Sequence, residues 1–196
     1  MLSNDATFNE HIEHVCKKTR QNMGCILITF KCRNNEFMRK IFNSLVQPHI
    51  NYCSQLWMPN QTQQMEKIEK LAKRLTGKIP WLREKSYWDR LKILRKNSQE
   101  RRMERYRIVY TWKILGLVPN CGVKEIGSTE DRKGQRCKIP AGTSARRLQS
   151  FQVGGPNAFN SLPDYMRNTS KFSVEEFKEK LDIFLCKVPD EPKVEI

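Results

Sequence analysis

A chain of 196 residues with a 38% hydrophobic share, a mean hydropathy of -0.68 and a formal charge of +15 is long enough for a core, yet leans polar and strongly basic. Such an excess of cations sets up a field that attracts phosphates or anionic lipid headgroups. No run of about eighteen apolar residues occurs, and Met1 to Phe8 lacks a basic stretch leading into an apolar one. A membrane span and a secretory leader are therefore not expected, and an intracellular chain, nuclear or cytoplasmic, is.

The charge is unevenly placed. Residues 61–115 hold 16 Lys and Arg against 6 Asp and Glu, a net of +10, whereas residues 151–196 hold 6 against 8. Polyanion binding is thus expected in the middle of the chain and a structural role at its end. Seven cysteines, at 16, 25, 32, 53, 121, 137 and 186, are odd in number and lack the paired spacing of disulfide scaffolds or zinc modules, which predicts reduced thiols.

In chain order, Phe8, Ile12, Val15, Thr19, Met23, Ile26 and Phe30 recur at three- and four-residue steps and predict one face of a long helix. A second helix starts at Asn34 or Asn35, either of which caps exposed amides, and turns Phe37, Ile41, Phe42 and Leu45 inward until Pro48 bends or ends it. A third spans Thr62 to Leu75 and stops at Gly77. Two strongly basic helices follow, Ser86 to Leu94 and Ser98 to Leu115. From Val118 to Gly155 periodicity disappears and Gly, Pro, Ser, Thr and Asn accumulate, so a long connection is expected, with short strands at Arg136 to Ile139 or Phe151 to Val153. A last helix starts at the capping box Ser173-Val-Glu-Glu176, with Phe177, Leu181 and Phe184 on its apolar face. The fold class is mainly α: a helical bundle over 1–117, a loop-rich segment over 118–155, a C-terminal helical tail over 156–188 and a frayed end over 189–196.

Few residues are arranged for chemistry. Two-metal polymerisation needs converging carboxylates, and no Asp-Asp pair occurs; phosphate-cradling Gly-rich motifs are absent too. His11-Ile-Glu-His14 has the wrong spacing for a zinc protease helix. His11, His14 and Cys16 are near enough on one helix to share a metal, but surface histidines beside a cysteine explain the same letters without a fourth ligand. Neither a metal nor another cofactor is expected. Cys53, four residues after His49, is the nearest approach to an activated thiol, and packing explains it more simply.

The basic segment is the better candidate. Lys67, Lys70, Arg74 and Lys78 fall in one helical stripe, separate from Met65, Ile68, Leu71, Ala72 and Leu75. Lys92, Arg95 and Lys96, then Arg101, Arg102 and Arg105, extend the series, so that a nucleic-acid backbone can be followed over several phosphates. Against this, Glu66 with Lys70 and Glu69 with Lys73 stand at the spacing of simple surface ion pairs. Trp81, Tyr87 and Trp88 lie between the basic groups, where core packing is the first expectation and base stacking the second.

The run Leu45-Val-Gln-Pro-His-Ile-Asn-Tyr-Cys-Ser-Gln-Leu-Trp57 resembles the thumb segment of jockey-like non-long-terminal-repeat retrotransposon reverse transcriptases. Phe8-Asn-Glu-His-Ile12, Met65-Glu-Lys-Ile-Glu-Lys-Leu-Ala-Lys-Arg-Leu-Thr-Gly77, Ser86-Tyr-Trp-Asp-Arg-Leu91, Tyr110-Thr-Trp-Lys-Ile-Leu115 and Gly155-Pro-Asn-Ala-Phe-Asn-Ser-Leu-Pro163 extend the resemblance over nearly the whole chain. It implies a thumb that grips an RNA or DNA primer–template, followed by a tail; phosphate contacts of this kind carry little sequence preference. In that family the paired aspartates of RNA-directed DNA polymerisation lie in a palm before this region, and no position here inherits them. The resemblance thus implies a fragment without polymerase activity of its own. The alternatives are a domesticated protein-interaction module and a translated relic without function.

Overall fold

The computed structural model describes residues 8–59, 62–117, 128–131, 134–137, 139, 150–168 and 172–190, and these are mainly helical. They fall into two compact units, Met1–Arg102 with Asp190–Ile196, and Met103–Pro189.

In the first unit, α1 (Asn9–Thr29) buries Ile12, Val15, Thr19, Met23 and Ile26 of the stripe that its periodicity predicts, and Cys16 beside them, while Phe30 just past its end is 37% exposed. Helix α2 (Asn35–Ile41) is capped by Asn34, whose side-chain oxygen accepts the Phe37 N–H at 2.9 Å. The chain then widens into a π-turn at Phe42–Val46 and continues as α3 (Gln47–Asn51). Pro48 is the cause: its ring clashes with the carbonyl four residues back and it has no N–H to give, so the preceding turn opens and the Gln47 N–H reaches Phe42 instead. Pro48 therefore neither ends the helix nor leaves its register alone. The wide turn carries Val46 fully inside and leaves Leu45, expected inward, 45% exposed.

A short α4 (Ser54–Trp57) precedes α5 (Thr62–Thr76), which buries Met65, Ile68, Leu71, Ala72 and Leu75 and packs against α1. A single 3₁₀ turn (Pro80–Leu82) leads to α6 (Tyr87–Ile93), capped by Ser86. The Arg90 guanidinium holds this connection: it donates to the carbonyls of Leu82 and Lys85 at 2.9 Å and of Arg83 at 2.8 Å. Helix α7 (Gln99–Leu117) has its first turn in this unit.

The second unit holds the rest of α7, an antiparallel pair β1 (Ser128–Asp131) and β2 (Gly134–Cys137), α8 (Phe151–Asn160) and α9 (Val174–Leu185). Its core is built from Ile108, Val109, Trp112, Cys137, Phe159, Leu162, Met166, Phe177, Leu181 and Leu185. The rings of Trp112 and Phe177 stack with centroids 4.8 Å apart. Helix α9 starts at the expected capping box, with Ser173 and Glu176 bonded reciprocally.

Three expectations change here. Residues 151–155 are helical rather than loop or strand, because Gly154 and Gly155 let α8 lie against α7: a Cβ on Gly155 would stand 2.6 Å from the Thr111 hydroxyl. The strand expected at Arg136 to Ile139 lies earlier, at Gly134–Cys137, where Asn160 anchors it by accepting the Cys137 N–H and donating to its carbonyl, each at 2.9 Å. Asp190, placed in the frayed end, instead accepts both the N–H and the hydroxyl of Ser98 at 2.7 Å. Much of the loop-rich segment, residues 118–127, 132–133 and 140–149, lies outside the described residues, as do 191–196.

Candidate nucleic-acid interface

Helix α5 separates its two functions by geometry. Its apolar face is buried, and Lys67, Lys70 and Arg74 stand exposed on the opposite side, with Lys78 exposed just beyond the helix end. Lys67 pairs with Glu13 of α1, and Lys70 with Glu66 at 3.4 Å. Both pairs are solvated and worth little, so their lysines remain exchangeable onto phosphate. No carboxylate of the described residues lies against Arg74, Lys78 or Arg95.

The expected second pair on this helix is not on its surface. Glu69 is 1% exposed, and its carboxylate accepts the Tyr87 hydroxyl and, at 2.9 Å, the N–H of Gln99 at the start of α7. Burial pushes its pKa up to about 7, against the lowering effect of those bonds. Gln47 completes the knot, donating to Gln99 at 2.8 Å. Tyr87 is thus a core residue, its ring 4.8 Å from that of the half-buried Trp88. Trp81 is 54% exposed and is the ring of the three left to meet a base.

The remaining cations differ among themselves. Lys92 and Arg95 are exposed. Arg95 has φ 51, in the left-handed region, and closes α6 with a Schellman pattern: its N–H reaches the Lys92 carbonyl at 3.0 Å and the Lys96 N–H that of Leu91 at 2.9 Å. That turn sends Lys96 inward. Its ammonium lies 3.9 Å from the Phe42 ring centre and 2.5 Å from Asn43 Oδ1. Burial first, then the charges of Arg102 and Arg39, lowers its pKa to about 7. Lys96 is therefore no ordinary surface cation.

Arg101 is 12% exposed at its side chain and faces Asp190 at 3.5 Å. In the second unit, Arg105 forks onto Asp182, the second bond at 2.7 Å, which raises its pKa further. The net-negative end of the chain thus supplies carboxylates to two of the predicted arginines, which a linear charge count does not show. Arg102 is half-buried, and its Nε is enclosed with no acceptor. Arg39, exposed on α2, is a cation that periodicity did not single out.

The alternative chemistry has no assembly behind it. His11 turns its ring to Trp57, centroids 5.3 Å apart, while Cys16 is fully buried and His14 exposed. Among the described residues, no three His, Cys, Asp or Glu side chains are grouped to hold a metal ion. Burial pushes the Cys137 thiol up to about 12, far from a reactive thiolate. No helix of the described residues is long and apolar enough to cross a membrane. Comparison with protein-family models, with curated proteins and with solved structures finds no match to this chain.

Proposed function

We propose that the chain binds the backbone of an RNA or DNA primer–template duplex, independently of sequence and without polymerising it. The observation that carries this reading is the exposed row Lys67, Lys70 and Arg74 on a helix whose other face is locked in a core, with Lys78 exposed just past its end. A rigid element presents the row, so little backbone order has to be created on binding. The resemblance of Leu45–Trp57 and its flanking segments to retrotransposon thumbs supports the same reading, and with it an origin in a reverse transcriptase. The test is binding to a labelled primer–template duplex across a salt series, beside a variant with Lys67, Lys70, Arg74 and Lys78 reversed to Glu. Affinity should fall steeply with salt, with a slope that shrinks by about one per lost phosphate contact. Sequence-specific, salt-insensitive binding would overturn the proposal.

A protein-interaction reading is favoured by a different observation: Ile28, Tyr52 and Leu56 are 82%, 75% and 52% exposed. A stoichiometric protein complex that tolerates the four reversals and is lost when these three become Ser would carry that reading instead.

A further inference from the structure

We infer that Trp81 is a stacking platform for an unpaired nucleobase of RNA or DNA, set beside the cations that hold the phosphates. The inference rests on the nucleic-acid reading above and adds to it a grip on a base.

Trp81 is the middle residue of the 3₁₀ turn Pro80–Leu82. Ile79 before the turn and Leu82 at its end are buried, so the backbone is anchored from both sides while the indole stays 54% exposed. Pro80 fixes its own φ at the start of the turn. Just beyond the ring, the Arg90 guanidinium ties down the carbonyls of Leu82, Arg83 and Lys85. The ring is therefore displayed from a stiff frame, and an indole loses little conformational freedom when it is covered.

The surroundings select the occupant. Residues 73–85 hold five Lys and Arg against one acid, Glu84. Arg74 and Lys78 precede the ring and Arg83 and Lys85 follow it, all four exposed. A flat π-face among cations suits a nucleotide, which joins a planar base to a phosphate. A lipid surface asks for a broad apolar face, and a protein partner for a packed cluster around its anchor. Here the adjacent apolar side chains, Ile79, Leu82 and Tyr87, are turned into the core, which leaves a single ring to cover. Inside a duplex both faces of a base are taken by its neighbours. A base able to stack on Trp81 is thus an unpaired one, such as the first base of the single-stranded side of a primer–template junction.

The experiment compares two duplexes that differ only in a short overhang, one of thymidines and one of abasic sites, so that their phosphates are identical. The full chain should bind the thymidine overhang about tenfold more tightly. Its tryptophan emission should be quenched by that ligand alone, because Trp57 and Trp112 are buried and Trp88 is half-buried. Trp81→Ala should lose the advantage and the quenching while keeping the steepness of the salt dependence, and Trp81→Phe, which retains a ring, should recover part of the advantage. Circular dichroism verifies that each variant is folded. Equal affinity for the two overhangs without quenching, or an advantage that survives in Trp81→Ala, would overturn the platform and leave the phosphate reading standing. No binding of either duplex by the folded chain would overturn both, and a Trp81-dependent emission shift with phosphatidylserine vesicles would then assign the turn to a lipid surface.

Discussion

Glu69 on α5 accepts the backbone N–H of Gln99 at 2.9 Å, so the first turn of α7 is capped by a carboxylate from another helix. Asp190 caps the same end through Ser98. Two acids converging on one helix start suit its partial positive charge, but only Glu69 does so from the interior.

A pH dependence follows. The Glu69 carboxyl binds its proton more tightly in the folded chain, with its pKa raised from 4.5 to about 7, chiefly by burial. Its contribution to stability is fully present below 4.5 and is lost as pH rises through about 7, by roughly 3 kcal/mol. Lys96 has the opposite sign: lowered from 10.5 to about 7, its contribution is present above 10.5 and lost as pH falls through about 7. The two together give a stability minimum near neutrality. Urea midpoints measured across pH should trace this dip, and Glu69→Gln should flatten its acid side while leaving the alkaline rise. A wild-type profile without a minimum would contradict the assignment.

Arg95→Gly relieves the left-handed strain at φ 51 and keeps both hydrogen bonds of the helix end. It should stabilise the first unit by about 1 kcal/mol and weaken duplex binding at low salt. Thermal unfolding and a binding isotherm read the two effects separately; a variant no more stable than the parent would show that the conformation carries no strain.

Helix positions, caps and the α5 stripe were legible in the sequence because each follows from short-range periodicity or from one residue's own chemistry. Asn34, the Ser173 capping box and the buried faces of α1 and α5 are of this kind. What was not legible depended on residues distant in the chain. Glu69 looks like a surface partner for Lys73 until Tyr87 and Gln99 come to meet it. Arg101 and Arg105 look like free cations until Asp190 and Asp182 are placed beside them. Leu45 was missed for a local reason, since a π-turn inserts a residue that a 3.6-residue period does not count.

Two glycines should respond to alanine in opposite directions. Gly24 sits inside α1 with nothing within 4 Å of an added Cβ, so Gly24→Ala should stabilise by about 0.5–1 kcal/mol through helix propensity. A Cβ on Gly155 would stand 2.6 Å from Thr111 Oγ1, itself held by the Arg107 carbonyl at 2.9 Å, and 3.0 Å from the Phe151 ring. Gly155→Ala should therefore cost about 1–3 kcal/mol despite the better propensity. Melting temperatures that move the same way in both variants would contradict the close approach of α8 to α7.

Arg74 and Arg105 are both predicted contacts from sequence, and charge reversal should separate them. Arg74 is exposed with no carboxylate of the described residues against it, so Arg74→Glu should leave stability nearly unchanged and reduce duplex affinity, with a shallower salt slope. Arg105 is forked onto Asp182, so Arg105→Glu removes that pair and sets two carboxylates face to face. Its main effect should be a loss of about 1 kcal/mol or more in the stability of the second unit, with a smaller effect on affinity. Adding Asp182→Lys restores an opposite-sign pair and should recover the stability. Were Arg105→Glu to abolish binding while the chain stayed as stable as before, the exposed stripe of α5 would lose its place as the main phosphate contact, and the α7 arginine would take it.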